Sequence, residues 1–66
     1  MCESNAYMVR DGRQELIMES VGLIRSGANG VFLKSIFGET LNVNAKIMEM
    51  DLSGHRILLE PENVSR

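Results

Sequence analysis

Short apolar runs alternate with polar turn signals along the whole chain. Turn-forming pairs occur at Asp11-Gly12, Asn29-Gly30, Gly38-Glu39 and Ser53-Gly54. The runs between them are about five to eight residues long and rich in Val, Ile, Leu and Phe, which is typical of strands. Asp-Gly and Asn-Gly favour hairpins because both residues tolerate positive φ. The pattern therefore predicts several short antiparallel strands.

The turn positions divide the chain into seven predicted strands. In chain order they cover residues 5–10, 14–18, 20–25, 31–37, 40–43, 45–51 and 56–60. Pro61 should end the last strand because it has no amide hydrogen to donate, and the polar tail 62–66 should fray. A helix over 39–50 is the main alternative, but the β-branched and Asn residues in 40–44 argue against it.

Six or seven short strands without a helix predict an all-β fold. We expect one domain, residues 1–66, folded as a small, strongly bent antiparallel β-barrel, because closure removes exposed strand edges. Neither face of predicted strands 31–37 and 45–51 is cleanly polar, which fits burial on one side and partial cover by a partner on the other. The methionines should pack in a core or an interface, and Met48 and Met50 share a face suited to an apolar dimer surface.

Chain length and cysteine content restrict how the fold can be stabilised. A chain of 66 residues is marginal as an isolated domain. Its single cysteine excludes an internal disulfide, and four zinc ligands at motif spacing are missing. Oligomerisation is then the expected supplement, most simply as a symmetric homodimer.

The charge pattern gives no support for nucleic-acid or membrane binding. The formal net charge is -2, and the seven Lys and Arg residues are spread singly, so no basic stripe is formed. The aromatic residues are Tyr7, Phe32 and Phe37, and the apolar context of the two phenylalanines predicts that they are buried. No apolar stretch approaches the roughly 20 residues of a membrane span. The start lacks the features of a signal peptide, and a free thiol then indicates the reducing cytoplasm.

Met1-Cys2 is the strongest candidate for chemistry. The Cys2 thiolate, the Cys2 backbone nitrogen and the α-amine of Met1 can form adjacent chelate rings around one metal ion. If Met1 were removed, the amine and thiolate of Cys2 would still chelate. Thiolate and nitrogen donors in a planar arrangement suit Ni(II) or Cu(II). The alternative is a terminal thiol without function, or a small buried apolar residue.

Other polar residues carry weaker signals. His55 follows Gly54 in a predicted turn, so it should be exposed, and as a neutral imidazole it could complete a metal site in trans. Glu49 and Asp51 share a strand face, where solvated charges are commoner than an acid/base pair. Gly22 is expected to mark a bend. No nucleophile has a base and an orienting partner, so the chain is not expected to be an enzyme.

Several segments resemble the CooT family. They are Met1-Cys2, the strand ending Val9-Arg10-Asp11-Gly12, the stretch from Glu19 to Ile24 (ESVGLI), and the ending from Met50 to Glu60 (MDLSGHRILLE). The resemblance covers essentially the whole chain. It implies a cytoplasmic, homodimeric nickel-binding protein that assists maturation of nickel-containing carbon monoxide dehydrogenase. It also implies a small Sm-like or SH3-like barrel and Cys2 as the metal ligand.

Two further functions follow from the same resemblance and size. Some members of the family are described as RNA-binding because of their fold, although fold alone is weak support for function and the acidic net charge here opposes it. A purely structural assembly module would bind neither metal nor RNA. Among these alternatives, a Ni(II) carrier or store is the preferred prediction, with one ion per dimer or one per protomer left open.

Overall fold

A computed structural model describes residues 4–61, and this part of the chain contains six strands and no helix. The strands are β1 (Ser4–Arg10), β2 (Arg13–Gly27), β3 (Gly30–Ser35), β4 (Thr40–Val43), β5 (Ala45–Asp51) and β6 (Arg56–Pro61). The all-β prediction is confirmed. The bounds of β4 and β5 match the predicted ones, and the alternative helix over 39–50 is excluded.

The six strands form one curled sheet in the order β4-β3-β2-β1-β6-β5. The sheet is a half-barrel, with β4 and β5 at its two edges. Neighbouring strands are antiparallel except β1 and β6, which are parallel and pair Asn5 with Arg56. The prediction that all neighbouring strands are antiparallel is therefore wrong for the β1–β6 pair. Hydrophobic patterns specify which residues face the core, but they do not specify which distant strands become neighbours.

Strand β2 covers the residues of two predicted strands, 14–18 and 20–25. The ladder from Arg13 to Gly27 is continuous, and it bends at Ser20, which has a φ of 56°. Its amide donates to Oδ1 of Asn5 across 3.2 Å. The pairing with β3 shifts register between Val21 and Leu23, so Gly22 lies in an irregular part of the strand, as expected of a bend. Such irregularities increase the local twist and allow the sheet to curl.

The core lies on the concave side of the sheet. It contains Ala6, Met8, Met18, Val21, Val31, Leu33, Ala45, Ile57 and Leu59. Leu33 and Leu59 are completely buried, and burial of each side chain stabilises the fold by about 1.5–3 kcal/mol. Met8 and Met18 pack in the core as predicted, whereas Met48 and Met50 are 47% and 43% exposed on edge strand β5.

The chain leaves the sheet after Ser35, two residues earlier than predicted. The Ser35 hydroxyl is buried and accepts hydrogen bonds from the amides of Phe37 and Glu39, each across 3.1 Å. These bonds close a turn that directs Phe37 outward. The prediction that Phe37 is buried is wrong, since its side chain is 76% exposed.

Candidate functional site

Met1 and Cys2, the predicted metal ligands, lie outside the described residues. The structure defines the point from which they extend, because β1 begins at Ser4, two residues after Cys2. Cys2 precedes Ser4 by only two residues in the sequence. The groups around the start of β1 are therefore the ones that can influence a terminal metal site.

Hydrogen bonds fix the start of β1 on both sides. The Asn5 amide donates to the carbonyl oxygen of His55 across 2.9 Å. On the other side, Oδ1 of Asn5 accepts from the amide of Ser20 at 3.2 Å, and the carbonyl oxygen of Ser20 accepts from the amide of Ile36 at 2.8 Å. The β5–β6 turn, the start of β1, the β2 bend and the turn after β3 therefore meet at one end of the sheet.

His55 is the one candidate metal ligand from the sequence analysis that lies within the described residues. It is exposed, as predicted, and has a φ of 58° in the turn between β5 and β6. Because β1 and β6 are parallel and Asn5 pairs with Arg56, His55 lies beside the start of β1. The sequence alone did not predict that the histidine and the amino-terminal end of β1 would be neighbours, since the pairing joins the two ends of the chain.

Residues 4–61 contain no group of three or more His, Cys, Asp or Glu side chains that could hold a metal ion. The described part of the chain therefore offers no metal cage of its own. His55 is the only histidine in the sequence, and it lies beside the start of β1.

Asp51 holds the turn that carries His55. Oδ1 of Asp51 accepts hydrogen bonds from the amide of Gly54 and the hydroxyl of Ser53, both at 3.0 Å. Arg56 contributes a guanidinium nitrogen 3.6 Å from Oδ2. The bond from Gly54, then that from Ser53 and the charge of Arg56, lower the pKa of Asp51 below its ordinary value of 3.8. This carboxylate is a structural cap of the turn and is not available as the acid of an acid/base pair with Glu49.

We expect Asp51→Ala to weaken the acid dependence of stability. A lowered folded-state pKa means that ionised Asp51 stabilises the fold above the unfolded pKa of about 4, and that this contribution is lost as the pH falls through the folded pKa. Melting temperatures measured from pH 7 to pH 2 should therefore fall less steeply in Asp51→Ala than in the wild type. Asp51→Asn keeps the acceptor oxygen but loses the charge, so it separates the two effects. Parallel curves for Asp51→Ala and the wild type would contradict this role.

Comparison with known proteins identifies the family of this chain. Residues 1–60 match the family model described as CO dehydrogenase accessory protein CooT. The chain belongs to the CooT family. A crystal structure assigned to CooT from Carboxydothermus hydrogenoformans is 39% identical, with a TM-score of 0.87, and the match covers 94% of this chain and all of that one. No curated protein sequence matches the chain.

CooT membership confirms the resemblance seen in the sequence and the small all-β fold that it implied. The family is described as an accessory protein of CO dehydrogenase, which is consistent with a role other than catalysis. The part of the chain that the structure describes has no helix long and apolar enough to cross a membrane.

Proposed function

We propose that this CooT-family protein binds Ni(II) through the Cys2 thiolate and the amino terminus. It would act in the cytoplasm as a metallochaperone or nickel store that supports maturation of nickel-containing CO dehydrogenase. The observation that carries the proposal is the family match over residues 1–60, which includes Met1-Cys2 and the only cysteine in the chain. Nickel is the cargo in this function, and the protein itself is not expected to catalyse a reaction.

The chemistry of the terminus suits the cargo. Thiolate and nitrogen donors favour Ni(II) over hard cations such as Mg²⁺. Cys2 lies three residues before Asn5, which is hydrogen-bonded to Ser20 in β2 and to His55 in the β5–β6 turn. Because Asn5 is held by these hydrogen bonds, the amine and thiolate donors of the proposed site would extend from a fixed end of the sheet. The exposed imidazole of His55 is at the same end and could supply a further nitrogen, from the same protomer or from a partner.

A homodimer is part of the proposal. Edge strand β5 carries Met48 and Met50, which are 47% and 43% exposed, and unpaired strand edges readily pair with another chain. Burial of these flexible apolar side chains between two copies would cover the edge and supplement a small core. Two copies of Cys2 could then share one ion, or each could hold its own.

The proposal is tested by titrating the purified protein with Ni(II). Calorimetry should give tight binding, and thiolate-to-nickel charge-transfer absorption should appear as metal is added. A matched variant carries Gly-Ser before Met1, which keeps the Cys2 thiol but moves the free amine away. We expect this extension to weaken binding by at least about tenfold, because it replaces an amine donor with an amide. Absence of Ni(II) binding in the wild type would refute the proposal.

RNA binding is the second candidate, and one surface favours it. A groove of about 530 Å³ beside the β2–β3 turn is lined by Arg25, Phe32, Asn42 and Asn44 among others, and no carboxylate is among its described lining residues. Arg25, Phe32 and Asn42 are cross-strand neighbours on β2, β3 and β4. A cation beside an aromatic ring is the combination that binds single-stranded nucleic acid. This row contains only three side chains, however, and nickel binding remains the preferred function.

A further inference from the structure

Strand β4 has one edge that no other strand in residues 4–61 covers. The sheet order places β4 at the end of the sheet, where its neighbour is β3. One residue, Asn44, joins β4 to β5, whose own neighbour is β6. Unpaired amide and carbonyl groups along an edge strand are a template for pairing with a further strand. A segment bound to this edge would continue the curled sheet.

The hydrogen bonds of β3 show which backbone groups of β4 point to the free edge. The Ser35 amide donates to the carbonyl oxygen of Glu39 across 2.8 Å, so these two residues face each other as a hydrogen-bonded pair. Hydrogen-bonded and non-hydrogen-bonded pairs alternate along an antiparallel ladder. Leu41, two residues after Glu39, therefore directs its amide and carbonyl groups to β3. Those of Asn42 point away from β3, to the free edge.

Strand β6 lies on this same edge. The Asn5 amide donates to the carbonyl oxygen of His55 across 2.9 Å, so His55 faces β1, and by alternation Glu60 faces β5, where it pairs with Lys46. Exposed side chains alternate with less exposed ones without a break over residues 40–46, so the alternation continues from β4 into β5. The backbone groups of Lys46 and Asn42, four residues apart, therefore point to one edge. This edge is covered by β6 along β5 and is free along β4.

The residues that follow β6 are placed to pair with this edge. The last pair of the β5–β6 ladder joins Ala45 to Pro61, so β6 runs toward the junction of β4 and β5. The tail 62–66, which its polar composition predicted to fray, lies outside the described residues. Continuing the register of Ala45 with Pro61 one residue at a time would set residues 62–66 opposite residues 40–44, which include the whole of β4.

Pro61 does not interrupt this continuation. Because Glu60 faces β5, the nitrogen of Pro61 points toward β1, and the pairing of β1 with β6 ends at Leu59. The missing amide hydrogen therefore lies where the described strands form no pair, which is a position that proline tolerates in a sheet. The same alternation would direct the backbone groups of Val64, like those of Glu60, to the β4–β5 side. In the continued register they would meet those of Asn42.

Covalent attachment favours the tail of this chain over a second copy as the occupant of the edge. A segment held beside its binding site by a short link has an effective concentration on the order of millimolar, well above that of a separate chain in dilute solution. The polar composition of the tail does not oppose pairing, because main-chain hydrogen bonds supply the affinity when a strand is added to a sheet edge.

We propose that residues 62–66 extend β6 along the free edge of β4 and thereby close the half-barrel. This pairing leaves β5 as the edge that is open to a second copy. Residues directly opposite each other share a face of the sheet, so Glu62 would lie beside Asn44 at the border of the groove that contains Arg25. Its carboxylate would oppose nucleic acid at that groove. The inference does not depend on nickel binding.

Hydrogen exchange of single amides in the full chain, followed by nuclear magnetic resonance, tests the proposal. The Asn42 amide should exchange at least about tenfold more slowly than in an unstructured peptide, because its bond to Val64 must open first. Val64→Pro removes the amide that would donate to Asn42, so exchange at Asn42 should become rapid. Asn63→Pro is the matched control, since the amide of residue 63 would point away from β4, and it should change exchange at Asn42 by less than about twofold.

The wild type provides a second measurement that does not depend on how the variants fold. Val43 and Asn63 would form a non-hydrogen-bonded pair with Cα atoms about 4.5 Å apart, so a nuclear Overhauser contact between their α-hydrogens is expected. Absence of this contact, or rapid exchange at Asn42 in the wild type, would overturn the proposal. So would equal effects of the two proline substitutions. Protection of Asn42 that rises with protein concentration would assign the edge to a second copy instead.

Discussion

Replacing Cys2 by Ser or Ala is expected to abolish tight Ni(II) binding while leaving the fold intact. The thiol is the only one in the chain, and neither a methyl group nor a serine hydroxyl can replace a thiolate as a soft, anionic donor. We expect the affinity to fall by more than about 100-fold, since loss of a direct ligand exceeds the 10–100-fold effects of outer-shell changes. Calorimetric titration measures the affinity, and the thiolate-to-nickel charge-transfer band should disappear in both variants.

Controls separate loss of a ligand from loss of structure. The melting temperature of Cys2→Ser should match that of the wild type, because the described core is formed by residues from Ala6 to Leu59. Ser4→Ala alters the first residue of β1 without removing a thiolate or an imidazole, so it should retain affinity. His55→Ala reports whether the neighbouring imidazole is a further ligand. An unchanged affinity in Cys2→Ser would exclude the terminal site.

The second large effect is expected from Gly30→Ala, which should strongly destabilise the fold. Gly30 has a φ of 131°, and a Cβ atom built on it would collide with the carbonyl oxygen of Val43. The carbonyl group belongs to the backbone, and the Cβ atom is fixed rigidly to the backbone of residue 30. The collision can therefore be removed only if the β2–β3 turn or the junction of β4 and β5 moves. We expect a loss of at least about 2 kcal/mol, the range for forced backbone strain. Urea unfolding followed by circular dichroism measures this loss.

Gly12→Ala is the matched control for this effect. Gly12 also has a positive φ, 77°, but nothing lies within 4 Å of a Cβ atom placed there. Only the conformational penalty of about 1–2 kcal/mol for a left-handed residue applies. The difference between the two variants therefore reports the collision with Val43 together with the greater backbone strain of an Ala residue at a φ of 131°. Equal destabilisation of both would show that the close contact between the β2–β3 turn and the β4–β5 junction does not hold the half-barrel together.

Local sequence signals predicted the features that depend on neighbouring residues. Asp11 and Gly12 both have positive φ, 52° and 77°, as an Asp-Gly hairpin requires. The second hairpin forms in the region that Asn29-Gly30 indicated, but Gly27 pairs with Gly30, so the two loop residues are Ala28 and Asn29. Asn29 is not among the residues with positive φ that the Asn-Gly signal predicted. The turn from Leu52 to His55 also lies where Ser53-Gly54 indicated. Turn chemistry acts over a few residues, so it can be recognised in the chain itself.

Local sequence signals did not predict the pairing between segments that are distant in the sequence. Ser20 carries a bend inside one continuous strand, because its amide binds Asn5, fifteen residues earlier. The parallel contact of β1 with β6 joins the two ends of the chain. Phe37 has a strand-like apolar context, yet the buried hydroxyl of Ser35 turns the chain and exposes the ring. In each case the tertiary contact outweighed the local pattern.

The same division applies to the candidate site. The sequence by itself determined that Met1-Cys2 holds the only thiol, next to an amine, and that the chain resembles CooT, because these depend on residue identity and order. Only the tertiary structure decided what surrounds the start of β1, namely His55 on one side and the β2 bend with the turn after β3 on the other. These neighbours come from opposite ends and the middle of the chain, and hydrogen bonds between strands bring them together.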